Sequence, residues 1–470
     1  MKMLIGGEWF DKNEKIDVVN PYDGKLIDTV PRGSKEDVNK AIAAAQKGYE
    51  INRDMPVHQR ISILKKAAEL MQKRFEELAK TIATEGSKTI REARKEVGRA
   101  INTITISAEE ARRINGETIP FDSAEGSENR VGYYYRFPIG IIVAITPFND
   151  PLNLVAHKLG PAIAGGNAVV LKPATVTPLS ALKLAEILLT AGLPGKVLSV
   201  VTGYGNEIGS ALVTDKRVRM ISFTGGVEAG EKIAKLAGLK KIGMELGSNS
   251  PVLVLDDCNI DQAVESTVSG AFWAVGQNCI GVQRVYIHRT IYDFYKEKFV
   301  NRTKQYKTGF QLDEDTDMGP MITEAEAIRV MDWIGDATKK GATLLTGGSR
   351  SGSLIPPTVL ENVPPSARLD CQEIFGPVVC LYPIDSLDEG IKKANAVDYG
   401  LHAAIFTKNI HNAFEAIKKL DVGGIIVNDS TDYRVDLMPF GGVKKSGLGR
   451  EGIKFALQEM TEPKVVCFNL

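Results

Sequence analysis

The spacing of hydrophobic and polar positions changes along the chain, and each change predicts a different kind of element. Residues 1–33 form short apolar stretches separated by turn residues, which indicates short strands. A capping-box pattern from Ser34 opens an alanine-rich helix that reaches about Tyr49. From Val57 to Ile114 apolar residues recur at helical spacing, which predicts several helices in series with a break near Gly86.

A regular alternation of strand and helix patterns follows. Apolar, β-branched runs predict strands at Ile141–Thr146, Ala168–Lys172, Leu198–Thr202, Met220–Thr224 and Lys241–Glu245. Helical patterns lie between them, at Pro151–Ile163, Leu179–Ala191, Asn206–Val213 and Ala229–Leu239. This alternation implies right-handed crossovers and a parallel sheet covered by helices on both faces. Such a sheet binds ligands at the carboxyl ends of its strands.

A second α/β series begins after Gly247. Its predicted elements are strand Val252–Leu255, helix 261–277, strand 284–288 and helices 291–306 and 324–340. Outside both series, an aromatic-rich strand at 130–136 lies between polar turns, and the chain ends in the strand-like Lys464–Phe468. These two strands could pair across an interface between subunits.

Composition and charge exclude several function classes. The 470 residues suffice for two or three domains, and 58 basic residues balance 58 acidic ones, so no global field recruits nucleic acid or an acidic membrane. Neither a signal peptide nor an apolar run of membrane-spanning length is evident. The five cysteines form no CxxC pair, which argues against disulfides and zinc. We expect a cytoplasmic protein without a metal site.

Cys279 is the residue around which the candidate chemistry is organised. It lies in Gly276-Gln-Asn-Cys279, where a helical run that starts at Ile260 ends and a strand around Val285 begins. A thiol at such a junction is both positioned and reachable, as a nucleophile must be. A cysteine taken alone is more often a small buried hydrophobe, so its role depends on other segments.

Polar residues at strand ends are those other segments. The amide of Asn149 could donate to a developing oxyanion, or it could form an Asx-turn before Pro151. Lys172 closes an apolar strand, a position from which an ammonium can reach a ribose or a phosphate. Glu245 closes the last strand of the first series, where a buried carboxylate suits a general base and where an ion pair is equally expected.

A glycine-rich turn, Phe223-Thr-Gly-Gly226, joins a predicted strand to a helix and extends to Gly230. Glycines there let the backbone approach a pyrophosphate, whose charge the helix N-terminus favours. The turn is not GxGxxG, so by itself it is a weak signal.

Together the motifs resemble those of the NAD(P)-dependent aldehyde dehydrogenase superfamily. The matching motifs are Thr146-Pro-Phe-Asn149, Lys172-Pro-Ala, Phe223-Thr-Gly-Gly, Glu245-Leu-Gly, Gly276-Gln-Asn-Cys279, Glu373-Ile-Phe-Gly-Pro and Pro439-Phe-Gly-Gly. The resemblance implies an α/β fold with a parallel-sheet, Rossmann-like nucleotide domain, an α/β catalytic domain and a small β segment that bridges subunits. The corresponding divisions are 1–117 with 137–246 for the cofactor domain, 247–445 for the catalytic domain, and 118–136 with 446–470 for the bridging segment.

The resemblance also implies a mechanism and a cofactor. Cys279 would attack the aldehyde, Asn149 would hold the oxyanion, and Glu245 would activate the water that releases a carboxylic acid. NADP or NAD would bind to residues from the strand ends and the two glycine-rich turns. These residues are Thr146, Pro147, Phe148, Lys172, Ala174, Thr175, Gly205, Gly209, Phe223, Thr224, Gly225, Gly226, Gly230, Leu246, Glu373 and Phe375.

Three positions depart from the family pattern. Gly226 and Ser248 stand where the family commonly has Ser and Gly. Thr175 stands where many NAD-preferring members carry a Glu that bonds both ribose hydroxyls. A carboxylate there would repel a 2′-phosphate and Thr does not, so we expect NADP to be accepted, alone or along with NAD.

Four polar residues fall where family members line the aldehyde tunnel: Arg99, Asp150, His157 and Arg434. Two guanidiniums and an imidazole suit a carboxylate, sulfonate, phosphonate or phosphate tail, whereas Asp150 could neutralise one Arg or bond a hydroxyl. The alternative is that all four are surface or structural charges. The segment that contains Arg434 is most similar to the lactaldehyde and phosphonoacetaldehyde dehydrogenase branch.

Two rival functions remain at this point. A CoA-acylating relative would cleave the thioester with a thiol, but it would not need Glu245. A catalytically idle relative with a structural role would be expected to lack Cys279, Asn149 or Glu245, and all three are present. We therefore expect a homo-oligomeric enzyme, a dimer or tetramer, that oxidises a small aldehyde such as lactaldehyde, succinate semialdehyde or a phosphono- or sulfo-aldehyde.

Overall fold

The computed structural model describes all 470 residues. Through Glu245 the strands are β1 (Met3–Ile5), β2 (Glu8–Phe10), β3 (Lys15–Val19), β4 (Leu26–Pro31), β5 (Glu117–Ile119), β6 (Arg130–Pro138), β7 (Ile141–Ile145), β8 (Ala168–Lys172), β9 (Leu198–Val200), β10 (Val218–Thr224) and β11 (Lys241–Glu245). The helices of this half are α1 (Lys35–Asp54), α2 (Val57–Lys73), α3 (Phe75–Glu85), α4 (Ile90–Glu110), α5 (Asn153–Ala164), α6 (Leu179–Thr190), α7 (Gly205–Thr214) and α8 (Val227–Ala237).

The second half repeats the α/β pattern. Its strands are β12 (Ser250–Val254), β13 (Val282–His288), β14 (Thr343–Thr346), β15 (Thr358–Glu361), β16 (Val378–Ile384), β17 (His402–Phe406), β18 (Gly424–Val427), β19 (Gly447–Leu448) and β20 (Thr461–Asn469). Its helices are α9 (Ile260–Phe272), α10 (Tyr292–Thr303), α11 (Glu324–Lys339), α12 (Arg368–Cys371), α13 (Leu387–Asn395), α14 (Ile410–Lys419) and α15 (Ile453–Glu459).

The first sheet has eight strands in the order β19-β11-β10-β7-β8-β9-β1-β2. Its five central strands, β7 to β11, are parallel, and the strands at its edges pair antiparallel. A core of 47 buried residues covers one face and a core of 20 covers the other. The predicted α/β class with a parallel sheet buried on both faces is therefore confirmed.

The chain order reverses at the centre of this sheet. The first central strand, β7, lies between β10 and β8, so later strands continue outward on both sides of it. Crevices at such a switch point, beyond the carboxyl ends of the strands, bind ligands. The segments that follow β7 and β10 both open into this crevice.

The second sheet has seven strands in the order β14-β15-β16-β13-β12-β17-β18 and its own core of 47 buried residues. β13 starts directly after the Cys279 turn and pairs with β12 and β16. The sheet therefore fixes the chain on the carboxyl-terminal side of the thiol.

A third sheet contains β20, β6 and β5. From the sequence, the 130–136 strand and the C-terminal strand could pair across an interface between subunits. This prediction is wrong, because β6 and β20 pair with each other within one chain over nine residues, from Thr461–Pro138 to Asn469–Arg130. Along this sheet several apolar side chains remain exposed, among them Val131, Tyr133, Val465 and Phe468.

Two helical stretches end earlier than the periodicity predicts. The helix expected over 261–277 ends at Phe272, because Ala274, Val275 and Gly276 adopt φ of 49°, 62° and 65°, outside the helical region. The series after Val57 breaks at Arg74 as well as at Gly86. No helix combines the length and the apolar character that crossing a membrane requires.

Candidate active site

A cavity of about 1120 Å³ brings together most of the residues singled out in the sequence. It is lined by the segments after β7, β8, β10 and β11, by the Cys279 turn, and by the loop that contains Arg434. Asn149, Glu245 and Cys279 all line it. The three are 96 and 34 residues apart along the chain, and the fold unites them because parallel strands end at one edge.

Cys279 follows a strained turn, Trp273–Gly276, in which two non-glycine residues have positive φ. Glu92, in the first turn of α4, fastens this turn: its Oε1 accepts from Ala274 N at 2.8 Å and its Oε2 from Thr89 N at 2.9 Å. Backbone of this kind persists only where surrounding contacts hold it, and such strain is common at functional sites. The buried carboxylate of Glu92 therefore links the helix that carries Arg99 to the turn that delivers the thiol.

The electrostatics around Cys279 keep it protonated in the absence of ligands. Burial, and after it the carboxylate of Glu373, raise the pKa of the thiol to about 12, against the opposing effect of the guanidinium of Arg434. Its Sγ lies 4.0 Å from Oδ1 of Asn278. The thiol is half-buried at the cavity wall and forms no disulfide.

The side-chain amide of Asn149 makes no hydrogen bond within the protein, so the Asx-turn alternative is wrong. The carboxylate of Glu96 instead holds the loop that carries Asn149. Glu96 Oε1 accepts from the backbone N–H groups of Leu152 (2.8 Å) and Asn153 (3.1 Å). The donors of Asn149 thus remain free on a fixed loop, as oxyanion stabilisation requires.

Glu245 is buried, its Oε2 has no hydrogen-bond partner, and it takes part in no salt bridge. The ion-pair alternative is therefore wrong. Burial raises the pKa of this carboxyl well above its ordinary value, and the nearby Glu451 adds to the increase while Arg434 and Lys158 oppose it. A carboxyl with a raised pKa that faces a cavity can take a proton from water.

The opposite end of the cavity has the features that a dinucleotide requires. Gly225 and Gly226 line it, a Cβ at Gly226 would meet open space, and α8 starts there without a side-chain cap. The buried hydroxyls of Thr146 and Thr224 have no hydrogen-bond partners. Free helix N–H groups and unpaired hydroxyls fit the phosphates and hydroxyls of a nucleotide.

Lys172 and Glu373 are two further polar groups near this end. Lys172 is buried without a counter-ion, and burial lowers the pKa of its ammonium to about 8. Its Nζ donates only to the carbonyl oxygen of Pro173, at 3.2 Å. Glu373 accepts from Ser248 N at 2.8 Å, and burial raises the pKa of its carboxyl to about 7.

Most of the other predicted cofactor residues also line the cavity. They are Pro147, Phe148, Ala174, Thr175, Phe223, Leu246 and Phe375. Phe148 and Phe375 meet edge to face, with ring centroids 5.8 Å apart. Lys172, Gly205, Gly209 and Gly230 do not line it; a Cβ at Gly230 would collide with Leu246, so this glycine permits close packing of α8 against the segment after β11.

The four predicted substrate residues separate into two groups. Arg99, Asp150 and Arg434 line the cavity, whereas His157 is buried outside it. His157 Nε2 lies 2.9 Å from Asp436 Oδ1, and burial lowers the pKa of its imidazole. The structure thus gives His157 a partner inside the protein and no access to the tunnel.

Arg99 and Asp150 are also engaged in salt bridges. Arg99 lies 3.2 Å from Asp436 and 3.7 Å from Asp150, and Asp150 pairs with the buried Lys88. Arg434 differs from both: its side chain is 6% exposed, and its Nε and Nη2 have no hydrogen-bond partner. It stacks 3.6 Å from the ring centroid of Phe440, with Glu451 3.7 Å away. Arg434 is therefore the available anion-binding group of this part of the cavity.

Sequence reasoning missed several residues of the site: Lys88, Lys95, Trp273, Asp432, Tyr433, Asp436, Phe440 and Glu451. Asp432 and Asp436 flank Arg434 in a loop rich in charged residues. This concentration of charge is the signal by which the sequence could have indicated them. Asp436 is hydrogen-bonded to His157 and Arg99, which are 279 and 337 residues away in the sequence, so local patterns could not indicate its role.

The sequence model of the aldehyde dehydrogenase family matches residues 9–466. The chain is 51% identical over 455 residues to aspartate-semialdehyde dehydrogenase 1 of Pseudomonas canavaninivorans, with 97% of each chain covered. It is 47% identical over 468 residues to 3-sulfolactaldehyde dehydrogenase of Priestia aryabhattai, which covers 100% of this chain and 98% of that one. A lactaldehyde dehydrogenase of Methanocaldococcus jannaschii is 41% identical and covers 99% of this chain and 100% of its own.

Two solved structures have the same fold. Aldehyde dehydrogenase 21 of Physcomitrella patens, in complex with the reaction product succinate, superposes with a TM-score of 0.97 at 42% identity, covering 100% of this chain and 98% of that chain. Glyceraldehyde-3-phosphate dehydrogenase GapN of Methanocaldococcus jannaschii, in complex with NADP, gives 0.94 at 41% identity, with 98% and 100% covered.

Proposed function

The chain belongs to the aldehyde dehydrogenase family, and from this premise we propose which of its residues carry the reaction and which aldehydes it takes. The protein is an NAD(P)-dependent aldehyde dehydrogenase that oxidises small aldehydes. Among the predictions from the sequence, the family, the fold class and the enzyme class are confirmed. The idle structural alternative is thereby excluded, and the acylating one is not favoured.

Cys279 is the nucleophile in our proposal. Its thiolate adds to the aldehyde carbon, which forms a C–S bond and places negative charge on the former carbonyl oxygen. The free amide donors of Asn149 and the backbone N–H of Cys279 stabilise this oxyanion. When the oxyanion collapses, the C–H bond breaks and a thioester remains on Cys279; NAD(P), when bound, supplies the hydride acceptor for this oxidation.

Glu245 then acts as the general base. Its carboxylate takes a proton from water, and the resulting hydroxide equivalent attacks the thioester carbon. The C–S bond breaks, the carboxylic acid leaves, and the Cys279 thiolate is restored. Two observations support this role: the pKa of the Glu245 carboxyl is raised, and its Oε2 has no hydrogen-bond partner. A carboxylate held in a salt bridge would be a weaker base.

The cofactor residues present fit a dinucleotide. The α8 N-terminus with Gly225 and Gly226 would accept the pyrophosphate, Lys172 the adenine-side ribose, and Glu373 with Phe375 the nicotinamide end. Family members use NAD or NADP. Thr175 Oγ1 donates to Gly203 O at 3.0 Å and brings no negative charge to this region, which supports acceptance of NADP.

The substrate is, in our proposal, a small aldehyde with an anionic tail. The observation that carries this proposal is the buried, incompletely paired guanidinium of Arg434 in the cavity wall beside Cys279, whose Nε and Nη2 have no hydrogen-bond partners. A buried cation without a full partner is costly, and an incoming carboxylate or sulfonate would satisfy it with charge-assisted hydrogen bonds. Arg99, held by Asp436 and Asp150, adds a second positive charge nearby.

A specificity profile tests the anionic tail. The assay compares succinate semialdehyde with the neutral butanal, using wild type, Arg99→Ala and Arg434→Ala. We expect Arg434→Ala to lower kcat/KM at least 100-fold more for the anionic aldehyde, which corresponds to about 2.7 kcal/mol of lost transition-state binding. Arg91→Ala is the matched control, since Arg91 lies on α4 but pairs with Asp317 outside the cavity. Equal losses on both aldehydes would contradict an anion site.

The acylating alternative has its own test. Product analysis with and without CoA distinguishes a free acid from an acyl-CoA. We expect the acid in both cases, because Glu245 activates water. Formation of acyl-CoA at a rate that depends on CoA concentration would count against the proposed mechanism.

We also propose a homo-oligomer, a dimer or tetramer, in the cytoplasm. The exposed apolar residues of the β5–β6–β20 sheet support the oligomer, since apolar patches of this kind commonly mark interfaces. Five free cysteines, one of them the nucleophile, suit a reducing compartment. The division into cofactor (1–117 and 137–246), catalytic (247–445) and bridging (118–136 and 446–470) regions is part of the same proposal.

A further inference from the structure

The cavity contains one more charged group that the mechanism does not use. Asp432 lines it two residues before Arg434, in the loop between β18 and α15. Its side chain is half-buried against the end of α9, where a Cβ on Gly270 would lie 2.8 Å from Asp432 Oδ1. Burial raises the pKa of this carboxyl. A carboxylate placed in this setting calls for a partner.

The other carboxylates of the cavity already have partners or roles. Asp150, Glu228, Glu326 and Glu451 are in salt bridges, Glu373 accepts from Ser248 N, and Glu245 is the proposed base. Asp432 takes part in no salt bridge. The nearest candidate cation, Lys95, is exposed and places its Nζ 4.8 Å from the ring centroid of Trp273 instead.

Apart from the exposed Lys95, the cations of the cavity show the same pattern, and Arg434 is the buried cation that departs from it. Lys88, Arg99 and Arg329 are in salt bridges with Glu96, Asp436 and Glu326 at 2.7 to 3.2 Å. Arg434 reaches Glu451 only at 3.7 Å, and two of its nitrogens, Nε and Nη2, have no hydrogen-bond partners. One loop therefore presents an unpaired carboxylate and an incompletely paired guanidinium to the cavity, with one residue between them.

We propose that Asp432 and Arg434 together recognise an α-amino carboxylate, so that the substrate is an amino-acid semialdehyde whose ammonium contacts Asp432. An ammonium and a carboxylate on one carbon form the smallest head group that satisfies both charges of the loop at once. Each charge of the substrate then replaces its hydration by a charge-assisted hydrogen bond. This inference rests on the proposed function, because it assigns the anionic tail to Arg434 and adds a positive group beside it.

Two aldehydes that differ only in the ammonium provide the test. Aspartate semialdehyde is succinate semialdehyde with an amino group on the carbon next to the carboxylate. We expect wild type to have at least tenfold higher kcat/KM on aspartate semialdehyde. Asp432→Asn keeps the shape of the side chain and removes its charge, and we expect it to lower kcat/KM at least 30-fold more on aspartate semialdehyde than on succinate semialdehyde.

Asp429→Asn is the matched control, since it removes a carboxylate from the same loop outside the cavity. The ratio between the two aldehydes should remain that of wild type. The wild-type ratio needs no variant, so it decides the question even if Asp432→Asn does not fold. A wild-type preference for succinate semialdehyde, or equal losses of both activities in Asp432→Asn, would overturn the proposal.

Two further arms separate the possible failures. If 2-hydroxy-4-oxobutanoate is oxidised as well as aspartate semialdehyde, the site recognises a hydrogen-bond donor and the ammonium assignment falls. If neither carboxylate-bearing aldehyde is preferred over butanal, the anionic tail itself is wrong. A preference for succinate semialdehyde over butanal without any effect of the ammonium leaves the proposed function intact and refutes only the role of Asp432.

Discussion

At the residue level, the proposed nucleophile Cys279 is a thiol whose pKa is raised by its surroundings. Its thiol is protonated in the ligand-free protein, because burial and the carboxylate of Glu373 outweigh the guanidinium of Arg434. The thiolate, which is the reactive form, must therefore be produced as substrate and cofactor bind. This differs from a free cysteine at the surface, which is ionised to a larger extent at the same pH.

The raised pKa predicts a steep pH dependence of alkylation. Well below a pKa of about 12, each added pH unit increases the thiolate fraction tenfold, so the iodoacetamide rate at Cys279 should rise about tenfold per unit from pH 7 to 9 without a plateau. Peptide-level mass spectrometry separates Cys279 from the exposed Cys371 and Cys467. A plateau near pH 8 would show that the thiol is already ionised.

Glu245→Gln should separate acylation from hydrolysis. The amide cannot accept the proton of water, so we expect one burst of reduced cofactor, about one per active site, followed by turnover at least 100-fold slower than in wild type. Stopped-flow absorbance of the reduced nicotinamide records both phases. Steady turnover at the wild-type rate would exclude Glu245 as the base.

Thr175→Glu tests the proposed cofactor selectivity. A carboxylate at this position would approach the 2′-phosphate of NADP, and we expect the ratio of kcat/KM for NADP to that for NAD to fall at least tenfold, about 1.4 kcal/mol. Thr175→Gln, similar in size but uncharged, is the control for steric effects. An equal fall with Gln would mean that bulk and not charge is responsible.

At the level of elements, a contact between α4 and the turn after α9 holds the segment that leads to Cys279. Glu92 belongs to the capping box of α4 and also binds the backbone of Ala274. Three successive residues with positive φ, Ala274 to Gly276, form a strained turn, which Gln277 N closes by donating to Ala274 O at 3.0 Å. The carboxylate of Glu92 thus caps the start of α4 and also binds the backbone of the strained turn.

Glu92→Ala should therefore affect stability and rate together. The loss of two buried acceptor contacts is expected to lower the free energy of unfolding by about 2–3 kcal/mol and to lower kcat, since the turn is no longer held. Urea unfolding and steady-state kinetics measure the two effects. Glu69→Ala is the control: this exposed glutamate makes only an i,i+3 pair with Lys66, and we expect about 0.5 kcal/mol or less.

At the level of the whole molecule, the sheet of β5, β6 and β20 exposes apolar side chains that the rest of the chain does not cover. Val131, Val465 and Phe468 are 56%, 59% and 49% exposed on it. Its strands already pair with each other within the chain. The surface available to a second copy is thus the apolar side chains and the free edge of the sheet.

Val465→Asp combined with Phe468→Asp should shift the protein toward smaller species, because charges would replace apolar groups at the proposed interface. Size-exclusion chromatography with light scattering gives the mass directly. Val19→Asp is the matched control, since Val19 is 42% exposed on β3, outside this sheet. An unchanged mass in the double variant would place the interface elsewhere.

Local patterns predicted much of the fold of the first half. β8 and β11 have the predicted bounds, and the other central strands differ by at most two residues at an end. These strands are short runs of apolar residues bounded by glycine, proline and charged residues, so the adjacent residues predict where each strand begins and ends. Once the ends of the strands are predicted, the polar residues there, Asn149, Lys172 and Glu245, can be identified as candidate site residues.

Contacts between distant segments decided what the sequence left open. Whether Asn149 caps a turn or Glu245 sits in a salt bridge depended on partners far away in the chain, and the fold supplied neither. His157 was predicted to face the tunnel, but its side chain turns to Asp436, 279 residues further on. The helix before Cys279 ends early in a turn of positive φ, and Glu92, 182 residues away, accepts a hydrogen bond from Ala274 N in this turn.

By itself, then, the sequence determined the α/β class and the family and led to the proposed catalytic residues, because these depend on local periodicity and on short motifs at strand ends. The tertiary structure alone decided which charges are paired. Pairing depends on distances between side chains that no local pattern contains, and it left Asp432 outside any salt bridge and Nε and Nη2 of Arg434 without hydrogen-bond partners in the substrate cavity.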